Sequence, residues 1–224
     1  MNSAVNLTAR MPAIGILGGT FNPIHFGHLR MAQELADAMN LDTVRFIPAA
    51  NPPHKDTPTI SAEQRAAMVK LAIADNDRFV FDDRELHRAG ASYTVDTLLS
   101  LREELGDKTS ITLFMGSDAF TKFDTWHRWQ EIITLCHIAL VQRPPLLVQE
   151  HKLSKTLETF LHNHYSENSD DLHHQASGVV TMRQITALDI SSTAIRHGLQ
   201  HGDSVRYLIP DNVIEYIQQH KLYR

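Results

Sequence analysis

Eleven consecutive residues carry the clearest chemistry in this chain: Gly18-Gly19-Thr20-Phe21-Asn22-Pro23-Ile24-His25-Phe26-Gly27-His28. Two glycines after an apolar run let the backbone approach a bulky anion, and Gly27 does the same where the next helix begins. A helix N-terminus adds free N–H groups and the positive end of its dipole. His25 and His28 stand three residues apart, so in a helical turn both can face one ligand. Imidazole N–H groups donate to phosphate oxygens, and their charge is tunable near neutral pH. Such a set suits nucleotidyl transfer, in which charge builds on phosphate oxygens and fixed donors stabilise it without a protein nucleophile. Each fragment alone has a plainer reading. Gly-Gly is often only a turn, and His-x-x-His is often a surface pair or half a zinc site, though no cysteine or carboxylate grouping completes one. The dinucleotide fingerprint Gly-x-Gly-x-x-Gly and the P-loop Lys-Ser/Thr are both absent.

The elements that must position these residues alternate along the chain. Apolar runs predict strands at Ala13–Leu17, Thr43–Pro48, Arg78–Asp82, Ile111–Met115, Ile138–Gln142 and Gly178–Gln184. Helical periodicity predicts helices at His28–Met39, Ala66–Ala74 with an N-cap at Ser61, Thr94–Leu105 with a stop at Gly106, Ser191–Gly198 and Pro210–His220. Asn51–Pro58 reads as loop. The polar, His-rich stretch Glu150–Ser177 reads as a variable loop with a weak helix at Leu153–His162. Strands separated by helices of this size predict an α/β fold: a doubly wound, mostly parallel sheet with a small C-terminal helical part. Residues 1–12 are expected to form a tail and residues 13–224 one domain, with 186–224 as a helical subdomain. Sheets of this kind bind ligands beyond the carboxyl ends of their strands. Gly18-Gly19, Pro48, Gly116-Ser117-Asp118 and Arg143 fall at those ends.

Composition narrows the classes. A chain of 224 residues with 42% hydrophobic and 21% charged residues has a globular composition and can bury a core without metal or disulfide support. The formal net charge of −5 argues against a broad nucleic-acid-coating surface. A single cysteine, Cys136, allows no internal disulfide and fits a reducing compartment. The N-terminus lacks a basic start followed by an apolar run, and the longest apolar stretch, Ile132–Val141, is too short to span a bilayer. The expected protein is therefore cytoplasmic, without membrane or nucleic-acid partners. Histidine is abundant, with 14 copies. His25 and His28 are expected to carry chemistry, whereas those crowded between 151 and 174 need no function.

The Gly18–His28 string resembles the signature of the nucleotidyltransferase superfamily, whose hallmark is a His/Thr-x-Gly-His element after the first strand. The second superfamily element resembles Ile190-Ser191-Ser192-Thr193-Ala194-Ile195-Arg196. A hydroxyl pair opening a helix, with arginine one turn on, suits a polyphosphate. Read bare, Ser-Ser-Thr is a helix cap. Three further segments are Asn51-Pro52-Pro53-His54-Lys55, Ala91-Ser92-Tyr93-Thr94-Val95-Asp96-Thr97-Leu98, and Gly116-Ser117-Asp118 followed by Phe123-Asp124-Thr125-Trp126-His127. With these the chain, from about Ile14 to Arg224, resembles the bacterial nicotinate-nucleotide adenylyltransferases. That family joins nicotinate mononucleotide to ATP, giving deamido-NAD and pyrophosphate on a Rossmann-like fold.

The resemblance implies a role at each matching position. His25 and His28 would contact the ATP phosphates and stabilise the transition state. Gly18, Gly19, Thr20 and Phe21 would line the phosphates. Gly116 and Asp118 would contact ATP, with Asp118 at a ribose hydroxyl or orienting Mg²⁺ that enters with ATP. Ser192, Thr193 and Arg196 would hold the triphosphate. Lys55 would place charge near the mononucleotide phosphate. Trp126 would stack on the pyridine ring, with Thr94 and nearby backbone N–H groups reading its carboxylate. Read bare, Trp126 is a half-buried core aromatic, Lys55 a solvated loop lysine and Asp118 a helix N-cap. One position departs from the signature: Asn22 stands where aspartate usually precedes proline, which removes a charge but keeps the turn chemistry. Nicotinamide mononucleotide, phosphopantetheine or a CTP-linked alcohol as substrate, or a non-catalytic nucleotide-binding regulator, are the alternatives.

Overall fold

The computed structural model describes residues 10–51, 60–142, 153–186 and 188–224. Six strands form one sheet: β1 (Ala13–Gly19), β2 (Thr43–Pro48), β3 (Phe79–Phe81), β4 (Ser110–Gly116), β5 (His137–Gln142) and β6 (Val180–Gln184). Their order is β3-β2-β1-β4-β5-β6, and every neighbouring pair is parallel. The order reverses between β1 and β4, which is where a doubly wound sheet opens a crevice for a nucleotide.

The strands read as near-continuous apolar runs because both faces of the sheet are covered. Alternation along β1 shows this directly. Ala13 and Leu17 belong to one apolar cluster, Ile14 and Ile16 to the other. The first face is covered by α1 (Phe26–Ala38), α2 (Ala62–Ile73), α8 (Ser192–His201) and α9 (Asp211–Gln219), through Leu35, Met68, Ile195 and Val213. The second is covered by α3 (Thr94–Leu105), α5 (Trp129–Leu135) and α6 (Lys155–His164), through Leu98, Ile132 and Phe160. Two one-turn helices, α4 (Ser117–Phe120) and α7 (Asp171–His174), complete the described helices beside a 3-10 turn at Phe123–Thr125. Among the described residues no helix is long and apolar enough to cross a membrane.

Local chemistry explains the element ends. Ser61 caps α2 by accepting from the Gln64 N–H at 3.2 Å while Gln64 returns a bond to the Ser61 N–H, the reciprocal pattern of a capping box. Helix α3 runs over the expected residues and stops at Gly106, whose φ of 68° is in the left-handed region. Most other boundaries shift from expectation by one to four residues, and three of the shifts bear on the site or the sheet edge. Strand β1 runs two residues further, because Gly18 and Gly19 pair with Ile47 and Pro48 of β2. Helix α1 starts at Phe26 instead of His28, because His25 is its N-cap and Gly27, with no side chain to mark it, already lies on the buried face. Strand β3 shortens to Phe79–Phe81 at the sheet edge. Helices α4, α5 and α7 are additions that no sequence periodicity announced, being too short to show one.

Candidate active site

Beyond the carboxyl ends of β1 and β4 lies a cavity of about 850 Å³, large enough for a nucleotide-sized ligand. Gly18 and Gly19 at the end of β1, then Thr20 and Phe21 in the turn, form one wall. His25 and His28 enter from the start of α1, and Gly116 and Asp118 from the end of β4 and the start of α4. Ser192, Thr193 and Arg196 enter from α8, and Trp126 follows the 3-10 turn. Residues separated by more than 170 positions in sequence thus meet at the place where strand order reverses.

The two histidines are built into the helix start. His25 is the N-cap residue, with extended backbone at φ −150° and ψ 169°, and His28 is the third helical residue. Their ring centroids are 3.7 Å apart and 31° from parallel. His25 is buried and His28 is partly open to the cavity. Gly27 is needed for this arrangement, because a Cβ there would stand 3.0 Å from two atoms of the His25 ring. The Phe21 ring meets His28 edge-on at 5.2 Å.

Helix α8 supplies a donor cluster. Its cap is Ser191, whose Oγ accepts from the Ala194 N–H at 3.1 Å. Ser192 is therefore released from capping, and its hydroxyl donates to the Pro23 carbonyl at 2.9 Å. The Ser192 and Thr193 N–H groups, ahead of Ala194 in the first turn of α8, have no intrahelical acceptor and make an anion-binding end. Arg196 donates through Nη1 to the Asn22 carbonyl at 2.8 Å and through Nη2 to Thr193 Oγ1 at 3.3 Å, which fixes its planar fork beside the cavity. Asp118 is exposed and is the one carboxylate lining the cavity among the described residues. Helix α4 is capped at Gly116, so Asp118 is not a capping residue.

Thr94 does not line this cavity. It opens α3, whose first turn is fastened to the segment carrying Trp126. The Tyr93 and His127 rings lie 4.5 Å apart, and Arg128 pairs with Asp96 at 3.6 Å. Trp126 itself is partly buried and meets the core ring of Phe123 edge-on at 5.6 Å. Lys55, with His54, lies outside the described residues.

Two buried residues behind the Thr20–Asn22 turn of the site carry no signature. Arg65 of α2 is 1% exposed and donates to the Thr20, Ala49 and Ala50 carbonyls at 2.7, 2.8 and 3.1 Å. Burial lowers its pKa from the usual guanidinium value. The sequence does hold a trace of it: Arg65 occupies the helical stripe of Met68 and Val69, where an apolar residue is the norm. Tyr223, next to the last residue, is buried and donates its hydroxyl to Asn22 Oδ1 at 2.7 Å. Burial also raises the Tyr223 phenol above its ordinary range. Asn22, at the position usually held by aspartate, therefore serves as an uncharged acceptor.

Residues 16–198 match the cytidylyltransferase-like family. Over 94% of its length the chain is 44% identical to a Dechloromonas aromatica protein named "Probable nicotinate-nucleotide adenylyltransferase", covering 97% of that protein. A Hydrogenovibrio crunogenus protein of the same name is 46% identical, over 94% of this chain and 97% of its own. The fold resembles a solved Plasmodium falciparum nicotinic acid mononucleotide adenylyltransferase complexed with NaAD, with a TM-score of 0.70 over 94% of this chain and 97% of that one, at 17% identity. With this cavity and these similarities, the chain belongs to the cytidylyltransferase-like family and, within it, to the nicotinate-nucleotide adenylyltransferases.

Proposed function

We propose that the chain transfers the adenylyl group of ATP to nicotinate mononucleotide, forming deamido-NAD and releasing pyrophosphate. The observation that carries this is the convergence of His25, His28, Arg196 and the α8 N-terminus on one cavity that also holds Trp126. The 5′-phosphate of the mononucleotide attacks the α-phosphorus of ATP in line, a P–O bond forms, and the bond to pyrophosphate breaks. That phosphate is already anionic near neutral pH, so no strong general base is required. Positioning and charge stabilisation then supply the catalysis.

Each residue has a task in that reaction. His28 and His25 donate to the phosphate oxygens on which charge develops. Arg196 and the backbone N–H groups of Ser192 and Thr193 hold the outgoing pyrophosphate. The glycines of β1 let the chain of phosphates lie close to the backbone. Trp126 stacks on the pyridinium ring, an arrangement that adds cation–π attraction. The ring carboxylate, reaching past Trp126 beyond the cavity lining, meets the N–H groups of the first turn of α3 at Thr94, which suit a carboxylate better than an amide. Lys55 adds charge near the mononucleotide phosphate. Asp118 fits Mg²⁺, which typically takes one or two carboxylates plus substrate phosphates. Bound with ATP, Mg²⁺ would neutralise triphosphate charge. An ATP-consuming reaction fits a cytoplasmic protein.

The test is pyrophosphate release from ATP with nicotinate mononucleotide, compared with nicotinamide mononucleotide and phosphopantetheine. Preference for nicotinate mononucleotide is the expected result. Preference for another acceptor reassigns the substrate, and no release with any of them points to a nucleotide-binding regulator.

A further inference from the structure

We propose that Tyr223 and Arg65 are positioning residues for adenylyl transfer, bracing the Thr20–Phe21–Asn22 turn from its buried side. The proposal rests on the transferase reading above. The turn needs bracing because Phe21 is a bulky residue held at φ 47°, a left-handed conformation that only surrounding contacts maintain. Arg65 fixes its start. One guanidinium joins the Thr20 carbonyl after β1 to the Ala49 and Ala50 carbonyls after β2, so the two strand ends cannot part without leaving a buried cation short of acceptors. Tyr223 fixes its end through the 2.7 Å bond to Asn22 Oδ1.

The path of the chain shows how Tyr223 comes to be there. Helix α9 closes with Lys221 at φ 52°, the Lys221 N–H on the Gln218 carbonyl and the Leu222 N–H on the Ile217 carbonyl. This is the two-bond helix stop that reverses the chain, and it sends Leu222 and Tyr223 back into the core. Burial there leaves the Tyr223 hydroxyl with a polar partner in Asn22.

The catalytic groups hang on the braced turn. Arg196 spends one N–H on the Asn22 carbonyl, Ser192 spends its hydroxyl on the Pro23 carbonyl, and Phe21 packs its ring on His28. A shift of the turn therefore moves the guanidinium and the imidazole together.

The experiment uses the full chain and measures pyrophosphate release, both Michaelis constants and Tm. Tyr223→Phe keeps the buried ring and removes only the donor. We expect kcat to fall about ten-fold with both KM values within about two-fold, because small misplacements cost rate more than ground-state binding. In an Asn22→Ala background the same substitution should cost nothing further. Arg65→Lys, which keeps the charge and loses the fork, should also lower kcat; if it does not fold, the tyrosine cycle alone decides. A Tyr223→Phe chain with wild-type kcat, or one losing as much without Asn22 as with it, overturns the proposal. A wild-type chain that releases no pyrophosphate overturns the transferase reading and this proposal with it.

Discussion

His28 Nδ1 accepts the backbone N–H of His25 at 3.3 Å. Accepting at Nδ1 means that the proton of a neutral ring sits on Nε2, so the cavity-lining His28 offers a donor there. One bond thereby does two jobs: it satisfies an N–H at the start of α1 and sets the tautomer that can donate to a phosphate oxygen.

Replacing His28 with alanine removes that donor. Turnover is expected to fall by about 100-fold or more, the scale of losing one transition-state donor. The fold should survive, with a loss of about 1 kcal/mol from the helix start. Steady-state pyrophosphate release and thermal unfolding check both halves. Unchanged turnover would remove His28 from the chemistry.

Trp126 keeps only part of its surface against Phe123, so its removal should spare the core. Trp126→Ala is expected to raise the KM for nicotinate mononucleotide about ten-fold, the value of one stacked cation–π contact, with the KM for ATP little changed. A shift confined to ATP would place the pyridine ring elsewhere.

The Asp118 carboxylate folds back over Gly116, and a Cβ at residue 116 would stand 2.5 Å from Asp118 Oδ1. Gly116→Ala must swing the carboxylate away. Because Asp118 is exposed, Tm should stay near wild type while the KM for ATP rises. An unaltered KM for ATP would detach Asp118 from ATP binding.

His137 predicts a pH dependence of stability. Burial pushes its imidazole down from 6.5 to about 4, although its Nε2 meets the Gln175 carbonyl at 3.0 Å. As pH falls below 6.5 the unfolded chain takes up a proton that the folded chain refuses until about 4. Stability should therefore decline across that window, by about 3 kcal/mol from this group, and be fully retained above it. Urea unfolding of the wild type and His137→Gln at pH 7, 5.5 and 4 measures this. The variant should be less stable at pH 7 and show a shallower decline, and parallel curves would rule the histidine out.

The abundance of histidine divides accordingly. His164 and His173, in the stretch expected to need no function, hold the Gly178 and Met39 carbonyls at 2.9 and 3.0 Å. They serve the fold, whereas His25 and His28 face the cavity.

Local pattern alone determined the alternation of strands and helices, because runs buried on both faces and helical stripes leave periodic traces in neighbouring residues. It also determined the two sides of the proposed phosphate site, since Gly18–His28 and Ile190–Arg196 are each one continuous segment of chain. Tertiary structure decided the rest. Short edge and linking elements such as β3, α4 and α5 owe their form to what they pack against. The sharing of α8 between Ser191 as cap and Ser192 as partner of Pro23 depends on a strand-turn 169 residues away. Arg65 and Tyr223 took their places by the same rule. A buried donor must find an acceptor, and here the acceptors are carbonyls and an amide of a turn that the fold alone brings within reach.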